Sequence, residues 1–150
     1  MTDWIATPDD ADGPPRVPSG ESIKLFVYGT LKSGHPNHWL MSCCTHEADA
    51  AVHGTLYSLR RYPAATFLTS DPRLVHGEIY DVPGYEVEAL DEGAGTSHGA
   101  FRRVQVKVAE GSMAGQTVWA YEGARVFAIT VLPDGVWEPG ALFTQKQKQP

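Results

Sequence analysis

Short segments in which apolar and polar residues alternate recur along this chain and predict a fold rich in β-strands. The clearest is residues 101–108, where valines alternate with charged and amide side chains, the pattern of a half-buried strand. Other segments of this kind predict strands at residues 23–28, 47–59, 65–68, 74–82, 116–121 and 125–131. Gly54, inside the longest of them, is expected to mark a bulge or a bend.

Helical spacing is much rarer. It predicts one convincing helix at residues 83–92, because Val87 and Leu90 fall on one face, to which Tyr85 could add. Residues 37–42 are long enough for one or two helical turns. Those turns would direct three apolar side chains to the core: Trp39, Leu40 and Met41. Many short strands with few helices, in no strand–helix–strand order, favour an α+β domain built on a mixed, partly closed sheet.

The chain of 150 residues is long enough for one domain with a sizeable core. Residues 7–21 are rich in proline, glycine and acidic residues and have little apolar surface to bury. We therefore expect a flexible leader at residues 1–22, one domain at residues 23–143 and a disordered tail at residues 144–150.

Charge and cysteine content narrow the classes of function. A formal net charge of -6 and a pI of about 5.4 argue against nucleic acid or an anionic membrane as the main partner. No apolar run approaches the roughly 18 residues that a membrane span requires, and the first residues lack the features of a secretory signal. Cys43 and Cys44 are adjacent, so we expect no disulfide but two buried or half-buried thiols in a reducing, cytoplasmic setting.

Several kinds of catalytic site are not supported by any motif. The chain carries no phosphate-binding loop, dinucleotide fingerprint or serine-hydrolase elbow. His35 and His38 could share one face, but they lie in a predicted loop with no carboxylate or cysteine at metal-ligand spacing. We therefore interpret the six histidines as surface residues and expect no metal site. The aromatic residues are interpreted as core and pocket lining.

The most informative segment is residues 25–32, in which an apolar strand ends in a turn at Gly29. A glycine there gives the backbone conformational freedom and lets a ligand approach the main chain. The N–H groups that follow, including that of Thr30, could bind a carboxylate or a carbonyl oxygen. From the residues alone, a plain strand with a glycine turn remains the alternative.

Six segments in this order resemble the gamma-glutamyl cyclotransferase superfamily, and most closely its gamma-glutamylamine cyclotransferase-like branch. The resemblance covers about residues 23–137. The segments are residues 26–31 (FVYGTL), 62–64 (YPA), 75–80 (VHGEIY), 90–92 (LDE), 101–106 (FRRVQV) and 118–121 (VWAY).

This resemblance implies a small mixed β-barrel with flanking short helices. It also implies that the glutamyl part of a small substrate binds at Tyr28, Gly29, Thr30 and Leu31. The substrate's α-amine would attack its own γ-carbonyl, forming 5-oxoproline and releasing an amine, without any cofactor. We expect the amine half to contact pocket walls from four aromatic residues: Trp39, Phe67, Tyr121 and Trp137.

One departure from the family pattern concerns the chemistry directly. The family places its acid/base glutamate in a Leu-Asp-x-x-Glu-Gly pattern, and the matching position in this chain is Ala94. A methyl group cannot transfer a proton, so we expect this chain to turn over weakly or not at all. The residue could be an engineered change, or the mark of a member that has lost catalysis.

A relocated carboxylate is the third explanation, and the one we favour least. Glu92 or Asp91 would then reach into the pocket, although both are more typical of solvated acids at a helix end. Glu78 could face the barrel interior, but we favour a structural pair with an arginine at position 102 or 103. The runner-up function is a non-catalytic module that binds a small amino-acid-like ligand or a protein partner.

Overall fold

The computed structural model describes residues 17–35, 37–58, 63–94, 101–123 and 131–137. Its seven named strands are β1 (Ser22–Val27), β2 (Thr45–Ser58), β3 (Pro63–Phe67), β4 (Leu74–Pro83), β5 (Phe101–Lys107), β6 (Glu110–Gly111) and β7 (Thr117–Gly123). One α-helix, α1 (Gly84–Gly93), follows β4, and a 3₁₀ helix covers His38–Met41.

The strands form one sheet in the order β3-β2-β4-β1-β7-β5, with β6 paired to β2. Only β1 and β7 run parallel among these pairs, and the other neighbours are antiparallel. The Phe67 N–H of β3 donates to a carboxylate oxygen of Glu122 on β7 at 2.9 Å, so the sheet curls until β3 meets β7. The α+β class with a mixed, nearly closed sheet is therefore confirmed.

The alternation along β1 divides its side chains between two hydrophobic clusters. Phe26 is fully buried in the cluster inside the curled sheet. Leu25 and Val27 belong to the other cluster, which packs beneath α1 through Val87 and Leu90. Because both faces of β1 are buried, this strand lies at the centre of the molecule, and the turn that follows it is held between two packed layers.

Strand β2 differs from the prediction in one respect. Its register shifts between His46 and Ala48, and its pairing with β3 is regular through Gly54, so the expected bulge at that glycine is wrong. A Cβ at Gly54 would lie 2.4 Å from the carbonyl oxygen of Thr66. The glycine instead allows the backbone of β3 to approach β2 closely.

Exposure corrects three further predictions. Trp39 is 68% exposed, whereas its neighbour Met41 fills the core position of the 3₁₀ helix. Tyr85 is 62% exposed, so the apolar face of α1 is formed by Val87 and Leu90 without it. Cys43 is exposed and Cys44 half-buried, and neither forms a disulfide.

The end of the expected leader is attached to the domain. Val17 packs on the cluster beneath α1, and the Gly84 N–H donates to the Glu21 carbonyl oxygen at 2.6 Å. Residues 1–16 and the expected tail at residues 144–150 lie outside the described residues, as does most of the strand expected at residues 125–131. Val131 forms an isolated bridge with Tyr57. Among the described residues, no helix is long and apolar enough to cross a membrane.

Candidate functional site

A cavity of about 430 Å³ opens where β1 ends. The turn at Gly29, Thr30 and Leu31 forms one wall, and the end of α1 at Gly93 and Ala94 forms another. The other lining residues are Phe26, Val27, Tyr28, Asn37, Leu40, Pro63, Leu90, Phe101 and Tyr121. The structure therefore brings the predicted binding turn and Ala94 to the same cavity.

The turn after β1 is fixed by its own hydrogen bonds. The Lys32 N–H donates to the Gly29 carbonyl oxygen at 3.0 Å, and the Asn37 N–H donates to the Thr30 carbonyl oxygen at 2.9 Å. The Asn37 side-chain amide also donates to the Thr30 hydroxyl oxygen at 3.0 Å. No described residue accepts a hydrogen bond from the N–H of Gly29, Thr30 or Leu31. These three N–H groups are thus free to bind the oxygen atoms of a ligand.

Gly29 is required for a reason other than the expected backbone freedom. Its φ is not positive, so another residue could adopt its conformation. A Cβ at this position would, however, lie 2.7 Å from Cγ of Pro63, which lines the same cavity. The glycine therefore permits close contact between the turn and β3.

Tyr28 ties the turn to two strands. Its hydroxyl donates to the Tyr121 carbonyl oxygen at 2.6 Å and accepts from the Ala65 N–H at 3.0 Å. The side chain is buried, and burial raises the pKa of the Tyr28 hydroxyl, which therefore stays protonated at neutral pH. Tyr28 consequently holds the wall of the cavity in place.

Ala94 continues the end of α1. Its φ of -82° and ψ of -5° are helical, and its N–H donates to the Leu90 carbonyl oxygen at 2.9 Å. The neighbouring Glu92 is exposed and does not line the cavity. Among the described residues, no carboxylate lines this cavity.

Asp91 is not the solvated acid that the sequence suggested. Its carboxylate accepts the Tyr121 hydroxyl at 2.6 Å and the Arg103 Nε at 3.1 Å. Arg103 is 4% exposed and lies over the Trp119 ring, 4.7 Å from its centroid. Burial, together with the Asp91 carboxylate, raises the pKa of the Tyr121 hydroxyl well above its ordinary value. Asp91 is therefore half-buried and hydrogen-bonded to a tyrosine that lines the cavity.

Of the four aromatic walls expected for the amine half, only Tyr121 lines the cavity. Trp137 is buried in the core, Phe67 packs against the same hydrophobic cluster, and Trp39 is exposed. Three further residues line the cavity although no sequence pattern indicated it: Asn37, Leu40 and Phe101. The hydrogen bond between Asn37 and Thr30 closes a loop between two residues that are seven positions apart. The alternation of apolar and polar residues does not predict such a contact.

Glu78 lies at a different place and does not pair with an arginine as we favoured. Its carboxylate accepts the Ser33 N–H and the Tyr80 hydroxyl, each at 2.9 Å. It lines a second cavity of about 390 Å³ that shares no described lining residue with the first. Ligand atoms of His46, Asp49 and Glu78 lie within 4.8 Å of one another, residue types that bind divalent cations. No sequence pattern indicated this grouping, because the pairing of β2 with β4 brings its residues together.

Comparison with known proteins gives a consistent result. A family model described as "Gamma-glutamyl cyclotransferase, AIG2-like" matches residues 25–139. A gamma-glutamylaminecyclotransferase of Bos taurus is 34% identical over an alignment of 99 residues, and the match covers 59% of this chain and 58% of that protein. A gamma-L-glutamyl-butirosin B gamma-glutamyl cyclotransferase of Niallia circulans is 34% identical over an alignment of 93 residues, and the match covers 57% of this chain and 58% of that protein.

Solved structures share the fold. The crystal structure of an AIG2-like protein of Mus musculus superposes with a TM-score of 0.67, covering 79% of this chain and 89% of that one. At 23% identity this likeness concerns the fold alone. The chain spans little more than half the length of the two curated relatives described above.

Proposed function

Because the chain belongs to the gamma-glutamyl cyclotransferase, AIG2-like family, as its six sequence segments indicated, we propose that it binds a gamma-glutamyl amine and cyclises the glutamyl part. The products would be 5-oxoproline and the free amine. The observation that carries this proposal is the cavity between the free N–H groups of Gly29, Thr30 and Leu31 and the end of α1.

The reaction fits the groups that the cavity offers. The substrate's α-amine attacks its own γ-carbonyl carbon, and the carbonyl oxygen gains negative charge. Backbone N–H groups of the turn would stabilise that oxyanion, as preorganised donors do in acyl transfer. The apolar lining, including Leu31, Leu40 and Phe101, suits the methylene groups of the glutamyl chain and holds the amine near the carbonyl.

Ala94 limits the rate that this site can reach. A positioned general acid or base typically contributes a factor on the order of a hundred to ten thousand. No carboxylate lines the cavity among the described residues, so the chain would bind substrate normally but turn over slowly.

The test is the release of 5-oxoproline from a panel of gamma-glutamyl alkylamines by the native chain and by Ala94→Glu. We expect kcat to rise on the order of a hundredfold or more in Ala94→Glu, with KM changing much less. Ala94→Gln is the matched control, because it adds similar volume without an ionisable group. Its kcat should stay near that of the native chain.

Two outcomes would contradict the proposal. If neither the native chain nor Ala94→Glu releases 5-oxoproline, while both bind a gamma-glutamyl amine in calorimetry, the cavity belongs to a non-catalytic binding module. If neither binds, the assignment of the cavity itself is wrong.

A further inference from the structure

The cavity contains few groups that can carry a proton. Among its described lining residues, three have hydroxyl groups: Tyr28, Thr30 and Tyr121. Thr30 accepts a hydrogen bond from Asn37, and Tyr28 donates to a backbone carbonyl oxygen, which cannot accept the proton as a base at neutral pH. Tyr121 alone among the three donates to a carboxylate, at 2.6 Å from Oδ1 of Asp91.

The carboxylate behind Tyr121 is held firmly. Arg103 donates to it from Nε at 3.1 Å and from Nη2 at 3.3 Å, and its guanidinium is itself fixed against Trp119. Asp91 extends from α1, Arg103 from β5 and Tyr121 from β7, so three elements fix the geometry. Among the described residues, Asp91 and Arg103 are the charged groups that face the Tyr121 hydroxyl.

We propose that Tyr121 and Asp91 form a proton relay that supports the residual turnover of this chain, in place of the glutamate that the family resemblance predicts at position 94. This inference rests on the proposed cyclisation. Tyr121 is the catalytic residue of the pair, and Asp91, acting through it, is a positioning and proton-accepting residue.

The relay balances through both halves of the reaction. When the α-amine nitrogen bonds to the γ-carbon, the carbonyl π electrons move to oxygen and the new ring nitrogen carries one proton too many. Tyr121 Oη accepts that proton while its own proton passes to Asp91. In the second half the proton returns through Tyr121 to the departing nitrogen as its bond to carbon breaks. The enzyme ends in its starting state, and no other reactant is needed.

The hydroxyl form of Tyr121 is the state that such a relay requires, because a phenolate has no proton to pass on. Burial and the adjacent Asp91 carboxylate keep the hydroxyl protonated throughout the neutral range by raising its pKa. A relay through a weakly basic phenol is slower than a carboxylate in direct contact with substrate, in agreement with the slow turnover proposed above.

The test is a double-mutant cycle that combines Tyr121→Phe with Ala94→Glu, with 5-oxoproline release as the readout. Tyr121→Phe should lower the kcat of the native chain at least tenfold. The loss in the Ala94→Glu background should be at least tenfold smaller, because a direct carboxylate bypasses the relay. A merely structural role for Tyr121 would lower kcat equally in both backgrounds, and that result would overturn the relay.

Tyr80→Phe is the matched control. Tyr80 also donates its hydroxyl to a carboxylate, Glu78 at 2.9 Å, but it lies outside the lining of the cavity. Its loss should leave kcat unchanged in both backgrounds. Asp91→Asn provides a second variant, which should lower the native kcat at least tenfold while circular dichroism confirms that it folds.

The relay and the proposed function fail in distinguishable ways. If Ala94→Glu releases 5-oxoproline and the native chain does not, the cyclisation stands and the relay is overturned. If the native kcat is unchanged in Tyr121→Phe, the relay is overturned as well. If Ala94→Glu is itself inactive, the proposed function fails, and the relay with it.

Discussion

At the scale of single residues, the site depends on what is small as much as on what is reactive. Gly29 leaves room for Pro63, and Ala94 leaves a methyl group where the family resemblance predicts a glutamate. Both residues could be located from the sequence, because they fall inside short motifs with a fixed order. Their physical reasons could not, since the contact of Gly29 with Pro63 depends on how two strands pack.

Gly29→Ala tests this contact. Its Cβ would lie 2.7 Å from Cγ and 3.0 Å from Cδ of Pro63, so the turn or β3 must shift. We expect a loss of about 1–3 kcal/mol in the free energy of unfolding, measured by urea denaturation, and weaker ligand binding. Gly20→Ala is the control, because a Cβ there meets nothing within 4 Å. Equal stability of the two variants would show that the turn has room to spare.

At the scale of elements, the positions of the strands and of α1 were largely predictable from the sequence, whereas the contacts between these elements were not. Alternation of apolar and polar residues located β4, β5 and β7 to within about two residues. The two-residue β6 escaped prediction, because it is too short for any period. The contacts of Asp91 were not predicted either, because its position on the helix is typical of an exposed residue. Arg103 and Tyr121, which contact its carboxylate, lie on strands that are distant in sequence.

Glu122 tests the closure between β3 and β7. Burial raises the pKa of its carboxyl above the ordinary 4.5, partly opposed by the hydrogen bond from the Phe67 N–H. The folded state therefore binds this proton more tightly than the unfolded chain, and stability is lost as pH rises from 4.5 through the raised folded value.

Glu122→Gln keeps an acceptor for the Phe67 N–H and removes the ionisation. Relative to the native chain, its free energy of unfolding should increase between pH 4 and pH 7, measured by urea denaturation at each pH. Glu110→Gln, which changes an exposed carboxylate, is the control, and its difference from the native chain should stay constant. If the difference in free energy of unfolding between Glu122→Gln and the native chain also stayed constant, the Glu122 carboxyl would be exposed to water in the folded protein, and the prediction would be wrong.

At the scale of the whole molecule, the family resemblance predicted a barrel, whereas the alternation of apolar and polar residues predicted only a partly closed sheet. A sheet whose order is β3-β2-β4-β1-β7-β5 pairs strands far apart in the chain, and local patterns carry no record of such pairing. The first cavity is also a property of the whole, since its lining comes from four strands, the 3₁₀ helix and α1.

A ligand that binds this cavity should therefore stabilise the entire fold. A gamma-glutamyl amine present at a hundredfold excess over its Kd should add about 2.7 kcal/mol to the free energy of unfolding. Thermal unfolding of the native chain, which we expect to turn over slowly, should show a rising Tm with ligand concentration. Gly29→Ala should need a higher ligand concentration for the same rise in Tm. A Tm that does not change with ligand concentration would argue against binding.

The parallel pairing of β1 with β7 has a consequence for synthesis of the protein. Tyr28 donates a hydrogen bond to the carbonyl oxygen of Tyr121, which lies 93 residues later in the sequence. The cavity wall at the end of β1 is therefore complete only after β7 has been synthesised. A nascent chain that has emerged only as far as α1 has the motif-bearing turn but lacks the contact with β7 that fixes Tyr28. On the ribosome, ligand recognition should switch on late and all at once, when β7 emerges.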